Sequence, residues 1–472
     1  MNRTIKRLFL LLCLFLVGCG SQTTPTATPT SPATATAGIA VLVTLESPTE
    51  SPSPTALVMA EPATATLIPT ITPVITATLS LTTTPEITMT VTAGPAAVLT
   101  PTMVVTGTAA AATPVPPPPG GSVGLPPDYP GGCAPYPCAD DKTGWEGRIQ
   151  VPSGFTVTYF GILPGKHPTS ITFGPDGWLY VATMEGQIYR LDNNGNASTY
   201  ATGFTMPTGI AFQPGTSNLY VSHRASNQGI GGESRVMLIR PDGSVSTILA
   251  GLPCCYTSYH AANGIAFGPD GFGYVSVGAR ADHGEILEGP NAGEQDELHP
   301  LEASILRFSP DGSFVEVYAR GFRNSYDIAW DGNGNLYASD NAPDYGPPEE
   351  LHRVVPGGEH GYPWYDCDVC FSPPPGVTVI PPVYQFIPHS SPTGITAYLH
   401  SAIPGYYNSL FVALWSAFPG AQKVMRLNPG GGSGVNFATG FAAPIDITVA
   451  PDGSLFVADW ATGIIFQIKY GG

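Results

Sequence analysis

Three patterns of apolar and polar positions succeed one another along the chain. Residues 8–17 form a short, nearly unbroken apolar run behind Arg3, Lys6 and Arg7. A membrane-spanning helix needs about 20 apolar residues, so this run is too short to span and suits the apolar segment of an export signal. From residue 20 to about 125, Thr, Pro, Ala, Ser and Val alternate without period; aromatic residues are absent, and Glu46, Glu50, Glu61 and Glu86 are the only charges. Scattered prolines remove backbone donors, and too little apolar surface is present to offset chain entropy. This stretch is expected to be a disordered tether of the kind often glycosylated, with a reach on the order of 300 Å if it adopts polyproline geometry. The expected organisation is a signal at 1–18, a tether at 19–125 and a globular domain at 126–472.

The third pattern is a repeat. From about residue 148 short apolar strands alternate with tight turns, and one phrase recurs: an apolar strand, a Pro-Asp-Gly-like turn, then an apolar-aromatic strand. The copies are PTSITFGPDGWLYVA at 168–182, PTGIAF at 207–212, NGIAFGPDG at 263–271, YDIAWDGNGNLY at 326–337, PTGITAY at 392–398 and PIDITVAPDGSLFVA at 444–458. Their first strands centre on Ile171, Ile210, Ile265, Ile328, Ile395 and Ile447, 39 to 67 residues apart. A four-stranded blade takes about 40 to 50 residues, so the longer intervals imply loop insertions, at 279–303 and 366–391. Pro presets φ, Asp bonds the local backbone and Gly accepts positive φ, which makes each turn a strong hairpin signal. Six such units predict an all-β, six-bladed propeller, which leaves no long sheet edge exposed. The sixth copy has only three strands before the chain stops, whereas an unmatched strand, FTVTYF, begins at Phe155. That strand is expected to complete the last blade and close the ring.

The formal net charge is −17, with three positive charges before the tether and four negative charges on it, so the globular part carries −16. Such a domain repels nucleic acid, which is set aside as a partner. Removing Cys13 with the signal and Cys19 at its end leaves Cys133, Cys138, Cys254, Cys255, Cys367 and Cys370. An even count in an exported protein predicts disulfides. Cys133 with Cys138 and Cys367 with Cys370 are close enough to pair locally. Cys254 and Cys255 either join each other or reach separate partners. Zinc at the two spaced pairs is the lesser alternative.

The residues LVGC at 16–19 resemble the lipobox of bacterial lipoproteins. That resemblance implies that Cys19 is lipidated and becomes the mature N-terminus. The domain is then expected at the extracellular face of the membrane, held by its lipid chains alone.

Three stretches resemble the quinoprotein glucose/sorbosone dehydrogenase family across residues 148 to 472. The first is HAANGIAFGPDGFGYVSVG at 260–278, whose leading histidine corresponds to the family's general base. Histidine suits that task because its ordinary pKa lies near neutrality. The second is ARGFRNSYDI at 319–328, whose Arg323 and Asn324 match a pair that projects into the site. A guanidinium there can stabilise charge developing on a quinone oxygen. The third is DNAPDYGPPEELH at 340–352 followed by GGEHGYPW at 357–364, similar to the family's calcium segment. Gly346 and Pro347 would give carbonyls and Glu349 or Glu350 a carboxylate, hard oxygen ligands of the kind Ca²⁺ takes. Tyr345, Thr393 and Lys423 complete the cofactor contacts that the resemblance implies, and Cys367 sits where the sorbosone-type branch often carries a cysteine. The implied activity is oxidation of a sugar or related aldehyde or alcohol, with pyrroloquinoline quinone (PQQ) and Ca²⁺ as cofactors. No Cys-x-x-Cys-His haem motif occurs, so the electrons would pass to an external acceptor. In soluble glucose dehydrogenases an Arg-x-Arg pair from the last blade also contacts the quinone; here the matching stretch, APID at 443–446, has no arginine.

Two other classes fit the same fold, since fold alone does not give function. One is a non-catalytic surface propeller that binds a glycan or protein. The other is a Ca²⁺-dependent lactonase, for which Asn263, Asp446 and a glutamate could be gathered on the axis.

Overall fold

A computed structural model describes residues 135–225, 232–255, 260–344, 347–365 and 367–471. Cys19, Cys133, Tyr345 and Gly346 lie outside the described residues. Among the described residues no helix is long and apolar enough to cross a membrane.

The chain folds into six four-stranded antiparallel sheets. Blade 1 is built from Pro168–Phe173, Leu179–Thr183, Gln187–Leu191 and Ala197–Thr202, counted outward from the axis. Blades 2 to 5 repeat that order with inner strands at Thr205–Phe212, Ala262–Phe267, Ser325–Trp330 and Pro392–Ala397. Blade 6 has its inner strand at Pro444–Val449 and takes its outer strand from Phe155–Ile162, which pairs with Ile464–Tyr470. The ring is therefore closed by the N-terminal strand, as the count of strands predicted. Each inner strand touches those of both neighbouring blades around the ring.

The repeated phrase has two structural causes. The glycine before the central isoleucine is needed because inner strands approach too closely for a side chain. A Cβ on Gly264 would lie 2.6 Å from the Asp327 Cα of the next blade, and Gly209 and Gly394 face Asn263 and Asp446 in the same way. The aromatic residues join blades edge to face. Tyr180 meets Phe212 at 4.9 Å, Tyr220 meets Phe267 at 5.0 Å, Tyr274 meets Trp330 at 5.0 Å, and Phe456 meets Phe173 at 5.0 Å. Such contacts add about 0.5–1.5 kcal/mol each beyond the area they bury.

One element departs from the all-β expectation, a short helix at Lys142–Arg148. It carries two glycines and no apolar periodicity, so only its Asp141 cap, which accepts from the Gly144 amide, marks it locally. Packing decides it: Trp145 is fully buried against Phe466, and its indole N–H donates to the Cys138 carbonyl.

Candidate active site

The site lies where the inner strands of blades 3 and 4 begin. His260 stands two residues before one strand, and Arg323 and Asn324 immediately before the other. Ala279, at the start of the 279–303 insertion, ties the two together. Its carbonyl is 3.0 Å from His260 Nδ1, and its amide donates to the Arg323 carbonyl at 2.7 Å. A carbonyl only accepts, so Nδ1 carries the proton and Nε2 keeps its lone pair. Burial, reinforced by the Arg323 charge, holds the His260 pKa well below its ordinary value. His260 is therefore a neutral imidazole whose Nε2 carries no proton.

The Arg323–Asn324 backbone is held by one carboxylate. Asp340, fully buried at the end of the second strand of blade 4, accepts from the Arg323 amide at 3.0 Å and the Asn324 amide at 2.8 Å. Burial raises the Asp340 pKa to about 7. The guanidinium is held by a second buried acid that sequence reasoning did not single out. Arg323 Nη2 lies 2.6 Å from Asp282 Oδ1, and Nε donates to the Asp282 carbonyl at 3.1 Å. Asp344 joins at 3.4 Å. Asp282 Oδ1 also accepts from the Asp344 amide at 3.1 Å, so this acid links the 279–303 insertion to the loop after blade 4's second strand.

The two long insertions meet beside this pair. The ring of His283 lies 5.8 Å from Phe371, and Tyr362 donates to the Ala281 carbonyl at 3.2 Å. Cys367 and Cys370 form a disulfide next to that contact. Cys254 and Cys255 are joined to each other and pack on Ala261, the neighbour of His260. Cys138 is also disulfide-bonded.

The other expected residues are placed as follows. Glu349 is buried and accepts from the Ala342 amide at 2.8 Å; burial raises its pKa to about 8. Glu350 lies 3.0 Å from His352 Nε2 and, with Asp340, makes a buried acid–imidazole group. Thr393 is buried in the blade 5 inner strand, its hydroxyl donating to the Ala413 carbonyl at 3.3 Å. Lys423 is half-buried, and it pairs with Leu414, which also pairs with Pro392; that places it at the end of blade 5 where the inner strand begins. Asn263 and Asp446, the lactonase candidates, are tied elsewhere: Asn263 to Asn324 and Asp446 to the amides of Ile171 and Ile447. Asp282 could not be found from spacing, because its loop carries no repeat.

The family model described as Glucose / Sorbosone dehydrogenase matches residues 165–466. The chain belongs to this family. A curated relative, quinoprotein glucose dehydrogenase B of Acinetobacter calcoaceticus, is 25% identical over 247 residues, covering 42% of this chain and 50% of that one. Among solved structures, the glucose dehydrogenase-like putative oxidoreductase of Thermus thermophilus aligns with TM-score 0.52 and 24% identity over 66% of this chain and 99% of that one. The PQQ-bound aldose sugar dehydrogenase of Streptomyces coelicolor aligns with TM-score 0.51 and 21% identity over 68% of this chain and all of that one.

Proposed function

We propose that this family member is a PQQ-dependent sugar dehydrogenase, exported on a lipid-anchored tether and acting at the outer face of the membrane. The observation that carries the reading is the convergence of a neutral imidazole with a guanidinium and a carboxamide. His260 Nε2 takes the proton of a sugar hydroxyl, while Arg323 and Asn324 present donors to oxygen atoms that gain negative charge.

These groups suit the quinone, whose carbonyl and carboxylate oxygens are all acceptors. Asn324 and Lys423 would hold it, and Arg323 would sit beside the reacting carbonyl. When bound, PQQ supplies two-electron acceptance. Calcium would be held by the Pro347 carbonyl and the buried carboxylate of Glu349, hard oxygen ligands of the kind it takes. Glu350 fits less well, being engaged with His352. An external acceptor would then reoxidise the cofactor.

The test uses the full chain in calcium buffer, titrated with PQQ while thermal stability is followed, and then given aldoses with a reducible dye. A saturable stabilisation with dye reduction is expected. His260→Ala should lower turnover by about 10²–10⁴-fold. Because burial keeps His260 neutral, the wild-type rate should hold on acidification through pH 6 rather than fall there. A folded protein with neither stabilisation nor turnover would leave the non-catalytic surface propeller as the better account.

A further inference from the structure

Asn263 opens the third repeat at a position where blades 1, 2 and 5 carry Thr169, Thr208 and Thr393. Thr169 and Thr208 each use the hydroxyl to bond the next blade's backbone, at the carbonyls of Pro207 and Ala262. Asn263 is fully buried and does something different. Its Nδ2 donates to Asn324 Oδ1 at 2.9 Å and to the Ser325 carbonyl at 3.4 Å.

These two contacts settle which way both carboxamides face. The Ser325 carbonyl can only accept, so Asn263 must turn its nitrogen towards blade 4; a flipped Asn263 would set oxygen against oxygen. Asn324 must then answer with its own oxygen. Gly278 closes on the same atom, since a Cβ there would lie 2.6 Å from Asn324 Oδ1. The Asn324 backbone has no freedom to compensate: its amide is held by Asp340, and its carbonyl accepts from the Asn341 amide and side chain, both at 3.3 Å. Asn324 Nδ2 has no bonding partner among the described residues and is not among the closed-off polar atoms. It is the end of the carboxamide left for a ligand. Among the described residues Asn263 Oδ1 is buried without a hydrogen-bond partner.

We infer that Asn263 is a positioning residue, which locks Asn324 with its N–H groups turned into the pocket so that the site offers them to an acceptor oxygen of the quinone. This inference rests on the dehydrogenase reading above.

The experiment is a double-mutant cycle on the full chain in calcium buffer, with the dissociation constant for PQQ as the readout and thermal stability followed in parallel. Asn263→Ala and Asn324→Ala should each weaken PQQ about tenfold, the scale of one lost hydrogen bond. The double variant should bind no more weakly than Asn324→Ala alone, because Asn263 acts only through Asn324. Asn263→Leu roughly keeps the volume and removes the donor without adding a charge or an O–H, so it should weaken PQQ at least as much, and it carries the test if the alanine variant does not fold. Losses that multiply in the double variant, or an Asn263→Leu protein that binds PQQ like the wild type, would overturn the inference. A wild-type chain that binds no PQQ would overturn the dehydrogenase reading and this inference together.

Discussion

Blades 4 and 6 open with nearly the same phrase and do different things with it. Blade 4 reads GFRNSYDI at 321–328 and blade 6 reads GFAAPIDI at 440–447. The backbone device is shared. Asp340 takes the amides of Arg323 and Asn324, and Asp459 takes those of Ala442 and Ala443, both at 2.8 Å. Each carboxylate ends the second strand of its blade and clasps the turn into the inner strand. The buried Phe322 and Phe441 lie under both turns. The two phrases differ at four positions, and the two side chains held up by the clasp are Arg-Asn in blade 4 and Ala-Ala in blade 6. The clasp is thus shared by these two blades, and the chemistry is an addition to it in one of them.

The strongest way to break this contrast is to make blade 4 resemble blade 6. Arg323→Ala should lower kcat/KM by about 10³-fold or more, as expected for loss of a group that stabilises developing charge. It should also destabilise the domain by roughly 3–5 kcal/mol, because buried Asp282 loses its guanidinium partner. Adding Asp282→Asn removes that uncompensated charge, so the double variant should regain much of the stability in urea unfolding without regaining turnover. Turnover that survives in the folded double variant would remove Arg323 from the catalytic set.

The comparison also shows what the sequence made legible. Six isoleucine-centred strands, their Pro-Asp-Gly turns and the spare strand at Phe155 were enough to give the propeller and its closure, because each is a local pattern repeated at blade length. The motif containing Arg323 and Asn324 was visible for the same reason, as a departure from a repeat. Asn263 was visible in principle, since it stands where three blades carry threonine. Asp282 was not: it lies 41 residues before Arg323 in an insertion with no periodicity, and only the fold brings the two together. The helix at Lys142–Arg148 was hidden because tertiary burial of Trp145, rather than helix propensity, maintains it.

A second, smaller contrast comes from cutting each clasp. Asp340→Ala and Asp459→Ala should each cost about 2–4 kcal/mol, since buried amides lose their acceptor, two at Asp340 and three at Asp459. Their activities should diverge. Asp459→Ala should keep the kcat of the wild type in the folded fraction, whereas Asp340→Ala should lose about 10–100-fold, because the mispositioned turn carries Arg323 and Asn324. Equal losses of kcat in the two variants would mean that both clasps serve the site through the ring as a whole.

The smallest effect concerns what the two blades still share. Asp327 and Asp446 occupy the same position two residues into the phrase's final Tyr/Ile-Asp-Ile, facing the next blade. Asp327 accepts from the Ile395 amide at 3.0 Å and Asp446 from the Ile171 amide at 2.6 Å. Burial raises both pKa values, Asp446 to about 7, and the Asp446 charge pushes Asp327 further up. The folded state therefore holds these protons more tightly than the unfolded chain, where a carboxyl titrates at about 3.9. Their contribution to stability is full below that value, falls as pH rises towards 7, and is level above. Asp446→Asn removes this proton without removing the side chain. Its Tm relative to the wild type should rise by about 1–3 °C between pH 4 and pH 8, the shift that roughly 1 kcal/mol gives in a domain of this size. The amide also sets an N–H against one backbone donor, but that cost is the same at every pH and moves the whole curve rather than its slope. Parallel Tm profiles for the two proteins would show that the carboxyl ionises as readily in the folded ring as in the open chain, and that the shared aspartate is a hydrogen-bond acceptor alone.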